Sequence, residues 1–288
     1  MIRSHLRGTI PLSSLDDSLT VLYVVVDDFL QARPDLALWR HSPNRQPAFS
    51  DAAVLTMALL QSSLGVASLK QTYRLIAANC RAAFPRLCSY ARWIARVHAL
   101  TALLGALLRA TTNLAPETAS FYLIDAKPLP VCHPVRHRRV RLLREAGAWF
   151  GKTSKGWFFG FKLPVLRHMA GRIVNVALTP GNGDDRAPAL TLLLGVKGGV
   201  TLGDGGYRGQ QRAAEWAEEA DLFVLTRAEA PEKKYLLAPV RQAMETSFSQ
   251  LWYRFLDRVF SRSWHSLWNT LQLKLIYYNL RHAGVLST

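Results

Sequence analysis

The sequence predicts an α/β fold, a mixed sheet with flanking helices, preceded by an all-helical N-terminal module. Two observations lead there. Up to about residue 110 the apolar residues recur at helical spacing between capping residues and glycine or proline stops. From Phe121 the pattern changes to short apolar runs, first three strand-like segments and then an alternation of helix and strand, which only a mixed sheet accommodates. The polar stretch "TTNLAPETAS" separates the two regimes, giving a helical module over 1–115 and an α/β domain with C-terminal helices over 116–288.

In the helical module, Leu19 to Ala32 forms an apolar segment ended by Pro34. "FSDAAVLTMALLQSSLG" has a cap at Ser50 or Asp51 and a stop at Gly65, and the next helix starts at Ser68. That pair, with Lys70 and Arg74 on its second member, is either a helix-turn-helix DNA reader or a plain helical hairpin. A further helical stretch from Ser89 carries Arg92 and Arg96 before turning wholly apolar.

In the second region, "FYLIDAKPL", "GWFFGFKLPVL" and "RIVNVALTP" read as strands. A helix over "DDRAPALTLLLG", a strand over "GGVTLGD", a helix over "GQQRAAEWAEEA" and a strand over "DLFVLT" follow. After Pro239 the chain returns to helix, and the last helix runs from about Trp264 to Arg281 with a core-facing aromatic stripe.

Lys and Arg number 36 against 20 Asp and Glu, a formal net charge of +16, which points to a polyanionic partner, nucleic acid first. Three scattered cysteines make no disulfide framework, and the apolar run Leu19 to Val26 falls short of a membrane span. A cytoplasmic protein without signal peptide or anchor is expected, nucleoid-associated when acting.

With so few acids, each position counts. Asp125 ends the apolar stretch "FYLID", Asp204 ends "VTLGD", and Glu245 follows Met244 at the margin of a helix's apolar face. Two strand-end carboxylates and one helical carboxylate can converge at the carboxyl edge of an α/β sheet, where such folds place their sites. Three like charges need compensation, and Mg²⁺ or Mn²⁺ supplies it with a preference for oxygen ligands. A pair of such ions can activate a water or a 3′ hydroxyl and stabilise the leaving oxygen of a phosphodiester. Around Asp204, Gly203, Gly205 and Gly206 leave room for that approach. Taken singly, Asp125 could cap a turn, Asp204 belong to an Asp-Gly turn and Glu245 pair with Arg241.

Between the first two of these strands, Arg136, Arg138, Arg139, Arg141, Arg144, Lys152, Lys155 and Lys162 face a lone acid, Glu145. Such a run suits a phosphate backbone. Trp149, Phe150, Trp157 and Phe158 are interleaved and could stack on unpaired bases, although strand core is the better expectation for Trp157 and Phe158. Cys132, His133 and His137 lack a second ligand pair, so no zinc site is expected. Asp184 and Asp185 read as caps at a helix start.

The order of strands and acids resembles the ribonuclease H-like fold of DDE transposases. In detail, "LIDAKPLPVC", "GWFFGFKLPVL", "LTPGNGDDR", "LGDGGYRG" and "METSFSQL" resemble the bacterial transposases of the insertion sequence 982 family. The resemblance implies that Asp125, Asp204 and Glu245 form a catalytic, metal-binding triad for two Mg²⁺ or Mn²⁺ ions, with Tyr207 following the second acid. It implies cleavage and strand transfer of the inverted-repeat DNA ends of an insertion sequence, by a homodimer in the active complex. Arg136, Arg138, Arg139, Arg141, Arg144, Lys152 and Lys155, with Arg241, would hold DNA. A nuclease or resolvase of the same fold that cuts without joining, and an inactive DNA-binding regulator, are the alternatives.

Overall fold

The computed structural model describes residues 15–36, 47–114, 121–154, 156–184, 187–193, 200–203, 222–224, 234–252, 256 and 261–286. Contacts divide the chain into two compact units. The first comprises residues 1–115, 254–261 and 265–288, and the second residues 116–253 and 262–264. The break at 115/116 coincides with the composition change in the sequence. The C-terminal helix from His265 onward, grouped by sequence order with the second region, makes its contacts within the first unit.

The first unit contains helices α1 (Leu15–Ala32), α2 (Asp51–Ser63), α3 (Leu69–Asn79), α4 (Tyr90–Ala99) and α5 (Thr101–Thr112). Ser50, Ser68 and Ser89 cap α2, α3 and α4, each side-chain oxygen accepting from the backbone N–H three residues on. Gly65, at φ +62, provides the left-handed exit from α2 that a side chain would strain. Helix α2 is buried from Asp51 to Gln61, on every side. That placement leaves the Asp51 carboxylate away from water, and Arg96 neutralises it at 2.6 Å. The same guanidinium donates to the Phe49 carbonyl. Arg96 is therefore structural, a role that its i, i+4 spacing to Arg92 did not reveal.

The stretch from Ser89 is two helices rather than one, bent by 63° between α4 and α5. No single helix among the described residues is long and apolar enough to cross a membrane. The fully buried Trp93 donates its indole N–H to the Val54 carbonyl at 3.2 Å, tying α4 to α2. The C-terminal helix Trp264–His282 is buried almost continuously from Asn269 to Leu280. Its polar members act as locks: Asn269 donates to Val97 O at 3.1 Å, and Asn279 donates to Thr111 Oγ1 at 3.3 Å.

The second unit is built on a seven-stranded sheet among the described residues: β1 (Phe121–Cys132), β2 (Trp149–Thr153), β3 (Gly156–His168), β4 (Ile173–Val176), β5 (Thr179–Pro180), β6 (Val200–Gly203) and β7 (Leu222–Val224). The order is β2-β3-β1-β6-β7. β1 is antiparallel to β3 and parallel to β6, and β6 is parallel to β7, so the sheet is mixed as expected. Along its length β3 also pairs with β4 and β5. The sequence reading had no counterpart for β2.

On one face of β1–β3, Tyr122, Ile124 and Leu166 form a core with Ala189, Leu192 and Leu193 of the short helix Ala189–Leu193. Backbone approaches backbone closely at two places, where β3 runs along β1 and where "PGNG" crosses the β2–β3 hairpin. A Cβ on Gly160 would meet the Leu129 carbonyl, and one on Gly181 the Trp149 carbonyl. Glycine is needed at both places. The long helix Lys234–Leu251 begins five residues before Pro239, which lies inside it rather than before it. The predicted helix over "GQQRAAEWAEEA" lies outside the described residues.

Candidate active site and nucleic-acid interface

Side chains alternate across a strand, so Leu123, Asp125 and Lys127 share one face of β1. Their cross-strand partners on β3 are Arg167, Val165 and Leu163. Opposite the apolar core just described, this face carries charge. Asp125 is half-buried, and its Oδ1 accepts the Ala126 N–H at 2.7 Å.

The helix Lys234–Leu251 covers this same face through two contacts. Arg167, buried, donates to the Ala243 carbonyl at 3.1 Å, and the Lys127 ammonium lies 5.3 Å from the centre of the Phe248 ring. Glu245 is exposed and stands between those two anchor points in sequence. Asp125 and the helix bearing Glu245 thus meet on one side of the β1–β3 ladder. Sequence reading missed Lys127 and Arg167 as the residues that position this helix; their only signal was a basic side chain in an otherwise apolar strand.

Parallel pairing of β1 with β6 sets Ile124 opposite Gly203. Asp125 and Asp204 are the next residues along each chain. Asp204, Lys155, Asp185 and Tyr207 lie outside the described residues, as does the side chain of Arg241. Among the described residues no three His, Cys, Asp or Glu side chains gather as a metal-binding group. By donor chemistry, an Asp, Asp, Glu oxygen set suits a hard divalent cation.

The basic segment folds as a short 3₁₀ turn, Pro134–Arg136, a helical turn, His137–Val140, a loop, and the β2–β3 hairpin. Arg136, Arg138, Arg139, Arg141, Arg144 and Lys152 are all exposed. Lys162 departs from that pattern: half-buried, it donates to the Gly183 carbonyl at 2.9 Å. Beneath the arginines, the His137 ring packs edge-on to Phe150 with centroids 4.5 Å apart, and Phe150 packs on Phe159 at 5.3 Å. His137 Nδ1 lies 2.6 Å from the Pro134 carbonyl. That ring is an anchor for the hairpin.

Burial pushes the Cys132 thiol up, partly opposed by Arg136.

Of the four interleaved aromatics, Phe158 is buried and Phe150 half-buried. Trp149 and Trp157 are 50% and 63% exposed, so the strand-core expectation fails for Trp157. The reason is its register position. Trp157 pairs with Lys152 next to the hairpin turn, past the end of β1, and the Lys152 ammonium lies 5.8 Å from its ring centre.

A mixed sheet with an acid at the end of the β1–β6 parallel ladder, a helix carrying a second acid over it, and an exposed basic hairpin make up an α/β domain with a basic surface. Residues 116–254 match the family model of the transposase DDE domain, which supports a DDE transposase and, through it, a DNA substrate. No curated protein and no solved structure matches this chain.

Proposed function

We propose that the chain is a DDE transposase resembling the insertion sequence 982 family, with a ribonuclease H-like catalytic domain that cuts and rejoins the DNA ends of its own element. Asp125, Asp204 and Glu245 are its three acids. The observation that carries this reading is the parallel register in which Ile124 pairs with Gly203, with an aspartate next in the chain on each side, inside the matched domain. The helix of Glu245, anchored on Lys127 and Arg167, covers the same face as Asp125.

In this mechanism the three carboxylates would hold two Mg²⁺ or Mn²⁺ ions, whose bound chemistry is to activate the attacking oxygen and stabilise the leaving one. The chain's own residues do the rest. The exposed arginines from Arg136 to Arg144 and Lys152, with Lys155 and Arg241, bind phosphates and fix the register of the strand without reading its sequence. Trp157 offers a ring for stacking on an unpaired base near a cut end. Helices α2 and α3, with exposed Lys70 and Arg74, are the proposed helix-turn-helix DNA reader. Two DNA ends call for a homodimer in the active complex.

The test is incubation of the purified chain with duplexes bearing the element's ends, pre-cut to a free 3′ hydroxyl, plus target DNA and Mn²⁺, with and without chelator. Joined product that vanishes with chelator and with Asp125→Asn or Asp204→Asn is expected. Cleavage without joining would leave a nuclease or resolvase, and DNA binding with no Mn²⁺-dependent product an inactive regulator.

A further inference from the structure

Within the second unit, a cavity of about 730 Å³ opens between the loop after His137–Val140 and the segment Arg262–Trp264. Three arginines line it, Arg141, Arg144 and Arg262, against one acid, Glu145. Arg262 is far away in sequence and carried no signal as part of the basic run.

Both walls are rooted in the unit. On one side, Arg141 and Leu143 hold left-handed backbone at φ 41 and φ 56, a region that non-glycine residues avoid. Two observations explain how the loop keeps it. The Leu143 side chain is buried, and its carbonyl accepts two backbone N–H groups, from Ala146 at 3.1 Å and Ala148 at 3.0 Å. On the other side, Trp264 packs on Phe161 of β3 with ring centroids 5.7 Å apart. Strained backbone held by surrounding structure gathers at functional sites, because the strain fixes side-chain directions in advance.

Three like charges around one cavity repel, and an anion with several oxygens relieves that repulsion. Guanidinium forks match phosphate geometry.

We propose that this cavity seats the phosphodiester backbone of a DNA strand, with Arg262 joining Arg141 and Arg144 as a phosphate contact. This rests on the reading of the chain as a DNA-handling enzyme and adds a defined subsite to it. The exposed Arg138 and Arg139 lie outside this subsite.

The experiment measures binding of the full chain to a mixed-sequence DNA duplex across a salt series, for the wild type and for Arg144→Gln, Arg262→Gln and Arg262→Lys. Arg109→Gln, an exposed arginine of α5, controls for net charge. Thermal midpoints confirm that each variant is folded. Expected is a log–log salt slope shallower by about one for Arg144→Gln and for Arg262→Gln, with the slope nearly kept in Arg262→Lys and unchanged in Arg109→Gln. Wild-type binding with an undiminished slope in Arg144→Gln and Arg262→Gln overturns the subsite while leaving the DNA reading intact. An equal loss in Arg109→Gln also overturns it, as an effect of overall charge. Failure of the wild type to bind DNA at any salt overturns the DNA reading, and the subsite with it. Where Arg262→Gln does not fold, Arg144→Gln and Arg262→Lys carry the test, and an unchanged slope in the former is overturning.

Discussion

An ion pair of the first unit and a basic segment of the second put charge to opposite uses. The first closes charge inward: Asp51, 7% exposed, is matched by Arg96, and the amides of Asn269 and Asn279 spend themselves on partners within the unit. The second turns its basic side chains outward, with five arginines from Arg136 to Arg144 and Lys152 in solvent beside a half-buried Asp125. Each unit also holds the other kind, exposed Lys70 and Arg74 in the first and buried Arg167 in the second, so arginine count alone does not separate the two uses.

The largest expected effect breaks the comparison at its carboxylates. Asp125→Asn should reduce Mn²⁺-dependent cleavage and joining to background while leaving DNA binding and the thermal midpoint near those of the wild type. Asp51→Asn should do the reverse in kind. Removing one partner of a buried pair leaves Arg96 uncompensated, a loss of about 3–5 kcal/mol, readable in urea denaturation.

A smaller effect is expected at the hairpin. Trp157→Ala should weaken binding to DNA with an unpaired end by about 1–3 kcal/mol. The stability of the variant should be unchanged, because Trp157 is 63% exposed. A fall in stability with unchanged binding would reassign Trp157 to packing.

A pH-dependent effect sharpens the inward-closing side. Burial pulls the Lys274 ammonium down to about 8 from 10.5. The unfolded chain then holds this proton between those values while the folded chain has lost it, so Lys274 makes stability rise with pH across that window. Below about 8 the cost of burying the charge is fully present. Lys274→Met should flatten this rise relative to the wild type, and comparing the two between pH 8 and pH 10.5 cancels the thiol titrations they share.

Much of the fold was legible in the chain. Ser50, Ser68 and Ser89 announce their helices because a capping hydroxyl acts within three residues of itself. β1, β3, β6 and β7 were visible as apolar runs. β2 was not, because "WFGKT" is short and sits in a basic segment, and it is a strand only through its pairing with β3. Of the site, the three acids were legible as candidates, whereas Lys127 and Arg167 were not. Their roles depend on a helix more than seventy residues farther along the chain.

What the sequence determined by itself is therefore local and compositional: helix starts, strand runs, the basic excess, and a change of regime near residue 115. Tertiary structure alone decided that Ile124 faces Gly203, that Arg96 is half-buried against Asp51 while Arg136 is exposed, and that the C-terminal helix groups with the first unit. It also brought Arg262 to the cavity of Arg141 and Arg144. The physical reason is range. Caps and periodicity act between neighbours in the chain, whereas register, burial and charge pairing are settled by whatever distant segment packs opposite.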